Sequence, residues 1–197
     1  MTKEVLSDRL AFVVSALFSP FITSTVFGLL SIAVISHNDP ERFLKIALFI
    51  ALIVGVPFIS ILLGRRQGKI TDWHIMEREQ RMGPFIAATF GAFVLFLAFR
   101  FLHVSRSLQA MSLALLVSGL VFSFITNYWK ISIHAAAYAG GVLILSLVSS
   151  RPGLLLLELG LPLIIWARLK RKRHSIWQGL GAVLVVCLCI WAVFRFY

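Results

Sequence analysis

The stretch Ala167–Gln178 carries five basic residues and a histidine between two apolar segments. With Ser175 onward helical, His174 and Gln178 stand four residues apart and share a face. A histidine at the mouth of a helix, held by a side-chain acceptor one turn on and ringed by arginines, has the parts for handling phosphate. The plain alternative is a cationic loop resting on anionic headgroups. Two further histidines lie in polar stretches. His134 follows Lys130 and Ser132 at the start of an apolar run, and His74 precedes Arg81 by seven residues. A neutral imidazole is a competent nucleophile near pH 7, and an imidazolium is a competent acid there. The planar fork of arginine matches phosphoryl oxygens and opposes charge that develops on them.

The rest of the chain must position these residues, and its composition says how. Of its 197 residues, 59% are hydrophobic and 14% charged, with a mean hydropathy of +0.93. Uncharged runs long enough to span a bilayer identify an integral membrane protein. The runs predict an all-α, polytopic helix bundle of six to seven transmembrane helices, forming one domain over residues 1–197. Leu10–Ser36 reads as the first span, with Pro20 tolerated inside it. Leu44–Leu63, Met82–Phe99 and Ser107–Tyr128 follow. The fifth begins near His134 and runs to about Val148. Leu154–Trp166 is a short sixth containing Glu158, read as making a polar contact between helices. Trp177–Phe194 is the seventh.

A net charge of +11 without a soluble domain to present it points away from nucleic acid and towards anionic lipid headgroups or a phosphorylated substrate. Cys187 and Cys189 both lie inside one apolar run, two apart, and form neither a disulfide framework nor a metal site. No carboxylate cluster suggests a metal, and no cofactor is expected.

Seven spans place the N-terminus and the loops at 64–81, 129–134 and 168–175 on one side of the membrane. Loops carrying His74, His134 and His174 can then meet at one face. That side holds thirteen Lys and Arg residues against six on the other. Short loops rich in Lys and Arg stay in the cytoplasm, so the N-terminus and the motif loops are expected there.

These spacings resemble the motifs of the type-2 phosphatidic acid phosphatase superfamily of membrane lipid phosphatases: Lys-x6-Arg-Pro, Pro-Ser-Gly-His and Ser-Arg-x5-His-x3-Asp. The corresponding stretches here are His74-x6-Arg81-Met82, Ile131-Ser132-Ile133-His134 and Ala167-Arg168-x5-His174-x3-Gln178. Arg81, Ser132, His134, Arg168 and His174 match. The resemblance implies that His174 attacks phosphorus and becomes a phosphohistidine, that His134 protonates the leaving alkoxide, and that Arg81, Arg168 and Ser132 hold the phosphoryl group. Gln178 stands where the family has the aspartate that orients the nucleophile. His74 replaces the first-motif lysine, a cation that Lys130 can supply. Ile131 and Ile133 replace proline and glycine. The resemblance also implies a site on the extracytoplasmic or luminal face, opposite to the charge count.

The expected function is therefore hydrolysis of a lipid phosphomonoester or (poly)prenyl diphosphate, without metal, on a phosphorylated membrane lipid. The alternative is a catalytically silent relative that binds phosphorylated lipid, or a scaffold or subunit of a membrane complex. A small transporter whose basic loops only anchor it is a third reading. Assembly as a homo-oligomer or within a membrane complex is left open.

Overall fold

The computed structural model describes residues 3–71, 80 and 82–197. His74 and Arg81 lie outside the described residues. Most of the described residues are helical, with no strand among them. Hydrocarbon offers no partner to backbone N–H and C=O groups, so a spanning segment must satisfy them internally, and a helix does so. Four segments are long and apolar enough to cross a membrane besides the last: Arg42–Arg66, Met82–Phe101 (α5), Arg106–Thr126 (α6) and Pro152–Lys170. The last is Ile176–Phe196 (α9). Ile133–Ser149 (α7) is a shorter apolar helix through the middle of the bundle, with Ala135, Ala139 and Val142 fully buried. The protein is a multi-pass membrane helix bundle.

The expected first span is not one straight helix. Lys3–Leu17 (α1) and Pro20–Ile35 (α2) meet at a bend of 45°. Proline lacks the N–H that a continuing helix would use, and it suits a first helical position. Ser19 caps α2, its side chain accepting from the Ile22 N–H at 3.4 Å. The bend sends the two halves to different neighbours: α1 leans on Leu161–Lys170 and α2 packs along α7.

The second crossing is one rod made of Arg42–Phe49 (α3), a π-helical stretch Ile50–Gly55, and Val56–Arg66 (α4). Pro57 donates no hydrogen bond to the preceding turn, and the π-helical widening accommodates that. The widened turn presses on α5: a Cβ on Gly91 would lie 2.1 Å from the Leu52 carbonyl oxygen. The sixth crossing is longer than expected. Pro152–Gly160 is 3-10 helical and runs into Leu161–Lys170 (α8). The buried Oε2 of Glu158 has no hydrogen-bond partner among the described residues.

Four helices end in the same closing turn. A residue with positive φ follows each: Gly68 (69°), His103 (51°), Ser150 (53°) and Lys172 (53°). The next N–H returns to a carbonyl five residues back, as from Lys69 to Gly64 at 2.9 Å and from Val104 to Phe99 at 3.0 Å. This Schellman closure satisfies terminal carbonyls and turns the chain sharply.

Candidate functional site

The closing turn of α8 places the candidate nucleophile. Lys172 N donates to the Leu169 carbonyl at 2.8 Å and Arg173 N to the Arg168 carbonyl at 3.0 Å. The reversal brings His174 back under the bundle surface, 9% exposed, directly before α9. Ser175 then caps α9 in a reciprocal box. Its side chain accepts from the Gln178 N–H at 3.3 Å, and the Gln178 side-chain oxygen accepts from the Ser175 N–H at 3.1 Å.

That same oxygen, Gln178 Oε1, stands 3.2 Å from His174 Nδ1, and the Lys130 carbonyl stands 3.3 Å from it. Both partners are acceptors, so Nδ1 carries a proton. The shared face expected of His174 and Gln178 is present, and the glutamine has a second task that spacing alone did not disclose. Lys130 meets the histidine through its backbone carbonyl.

The second cluster is tied to the third by its backbone. Ser132 N donates to the Gln178 carbonyl at 3.2 Å. Ser132 itself is 1% exposed, and its hydroxyl has no partner among the described residues. His134 lies in the first turn of α7, half-buried. The N-termini of α7 and α9 thus meet, and their dipoles favour negative charge there.

Arg168 ends α8, 8% exposed, and its guanidinium donates to the Ser15 hydroxyl of α1. The bend between α1 and α2 permits that contact. Further along α1, Arg171 stacks over Phe12 at 4.8 Å and Lys170 pairs with Asp8 at 3.3 Å. A cavity of about 530 Å³ opens from this cluster into the bundle. His134, His174 and Arg168 line its polar end, joined by Arg171, Arg173 and Ser15. The remaining walls are largely apolar, from α2, the second crossing, α5, α6, α7 and α9.

The structure therefore brings together six of the eight expected residues: His174, Gln178, Lys130, Ser132, His134 and Arg168. Sequence reasoning missed Arg171, Arg173 and Ser15 as lining residues. The two arginines were visible as members of the basic run, at three and five residues beyond Arg168. Ser15 gave no local signal, because an apolar helix with an occasional serine is ordinary. Compared with known proteins, the chain matches no family model, no curated protein and no solved structure.

Proposed function

We propose that this protein hydrolyses a phosphate ester or diphosphate of a membrane lipid, with His174 as nucleophile. One observation carries the reading: a histidine whose Nδ1 is held by two acceptors, at the cationic end of an otherwise apolar cavity. The cavity matches an amphiphile with an anionic head. Nε2 of His174 attacks phosphorus and the P–O bond to the lipid breaks. His134, as imidazolium, gives its proton to the leaving oxygen. Water then attacks phosphorus, the P–N bond breaks, and His134 takes the proton from water. Arg168, Arg171 and Arg173 oppose the phosphoryl charge, with the Ser132 hydroxyl and the two helix N-termini beside them. Resemblance to the lipid phosphatase motifs supports the same assignment of roles.

Gln178 favours a second reading. Its neutral amide orients the ring but does not offset the charge of a phosphorylated imidazolium as a carboxylate does. A protein that binds lipid phosphate without turnover has the same geometry. Release of inorganic phosphate from a panel of lipid phosphates by the purified protein separates the two. Turnover lost in His174→Ala supports the enzyme; binding without release in the wild type selects the silent relative.

A further inference from the structure

Large side chains line the apolar depth of the cavity. On α7, His134 at the cationic end and Ile144 near the bottom both line it, ten residues apart. At about 1.5 Å per residue the cavity is roughly 15 Å deep. Phe27, Phe49 and Ile190 stand in its lower half, and each rests on a glycine of a neighbouring helix. A Cβ on Gly28 would lie 2.0 Å from the Phe49 ring, one on Gly141 2.6 Å from Phe27, and one on Gly140 3.2 Å from Ile190. Phe49 and Ile190 are each 1% exposed. Large side chains seated on bare backbone have little room to retreat, because a close-packed interior yields only by shifting helices.

We infer that these side chains form a floor to the cavity and act as a chain-length gauge: the cavity takes one linear apolar chain of about twelve to sixteen carbons and rejects longer ones. An extended chain advances about 1.2 Å per bond, since three backbone bonds of a peptide span about 3.6 Å, and roughly 15 Å therefore holds about twelve. A few more fit with bends. Apolar walls contribute about 0.8 kcal/mol per methylene buried, so affinity rises with length until the floor is met. Beyond that point each added carbon is excluded or forces the floor residues out of place. Ala92 of α5 lines the same wall and is 2% exposed, so a larger side chain there shortens the space. The headgroup part of this inference rests on the proposed lipid-phosphate reading, and the chain part does not.

Two parallel ligand series in nanodiscs test it: n-alkyl phosphates of 8 to 20 carbons, and n-alkanols of the same lengths. Phosphate release is measured for the first, and the shift of the thermal midpoint for both. The wild type is expected to peak at twelve to sixteen carbons and to fall at least tenfold by twenty. Phe49→Ala should move the peak to longer chains, and Ala92→Leu to shorter ones, each read without the other. A flat response beyond sixteen carbons in the wild type overturns the gauge, as do unchanged profiles in both variants. A length limit seen with alkanols but with no response to any phosphate supports the gauge and sinks the lipid-phosphate reading.

Discussion

The backbone N–H of Ser132 donates to the carbonyl of Gln178 across 3.2 Å, joining the start of α7 to the first turn of α9. Packing reinforces the joint. A Cβ on Gly181 would lie 2.7 Å from the Trp129 ring, so that ring covers bare α9 backbone just beyond Gln178. Lys130 and His174 are held on either side of this link by the Nδ1 hydrogen bond. His134 and His174, the proposed general acid and nucleophile, are therefore carried on one linked pair of helix starts, not on independent loops.

Trapping the intermediate tests the role of His174 directly. Brief exposure of the wild type to a labelled lipid phosphate, quenched in alkali, is expected to leave acid-labile label on His174. His174→Ala should carry none, and its turnover should fall to background while the helical content stays unchanged. Label on another residue, or full turnover in the variant, rules out the assigned nucleophile.

Gln178 both caps α9 and holds the His174 ring, so its substitutions separate by reach. Gln178→Glu keeps the length of the capping box and adds a carboxylate beside Nδ1. It is expected to keep or raise turnover. Gln178→Leu removes both hydrogen bonds. Turnover should drop by on the order of 10² or more, with a stability loss of about 1 kcal/mol from the cap. Rates near wild type in the leucine variant would place the orienting group elsewhere.

Lys172 holds the left-handed turn that brings His174 back into the bundle, and its Cβ costs about 1 kcal/mol there. Lys172→Gly should raise the thermal midpoint slightly without changing chain-length preference. A marked loss of stability would show that the lysine side chain, not the backbone turn, matters at this position.

Asp39 and Lys45 form an ion pair at the other end of the bundle, with Lys45 only 5% exposed. The Lys45 ammonium, then the Glu41 N–H, holds the Asp39 carboxyl below its ordinary range. A depressed carboxyl contributes stability above its unfolded value, and that contribution is lost as pH falls through the lower folded value. Asp39→Asn should therefore lower the thermal midpoint at pH 7, where it leaves a buried ammonium unpaired. The difference from wild type should shrink on acidification below about pH 4. A gap that persists at low pH contradicts the ion pair as its cause.

The excess of Lys and Arg on the motif side, thirteen against six, predicts that the candidate site faces the cytoplasm. Single cysteines at Ser175 and Ser149, in a background lacking Cys187 and Cys189, decide it. An impermeant thiol reagent added to intact cells should label Ser149→Cys and spare Ser175→Cys. The reverse pattern overturns the assignment and agrees with the face that the family resemblance implies.

Much of the bundle was legible in the sequence, because lipid leaves an uncharged run little choice but a helix. The third, fourth and seventh spans lie close to their expected bounds for that reason. The His174–Gln178 relation was legible too, since a separation of four residues across a helix start is a local fact. Pro20 sits within the expected first span, and the structure bends the chain there between α1 and α2. A proline permits a straight or a bent span, and the neighbours that each half finds decide between them. Only the tertiary structure gave Arg168 its partner, 153 residues away in Ser15, and set the Lys130 carbonyl against His174. The floor of the cavity likewise depends on which ring meets which glycine. Such pairings follow from how whole helices lean and interlock, and no spacing along one helix encodes them.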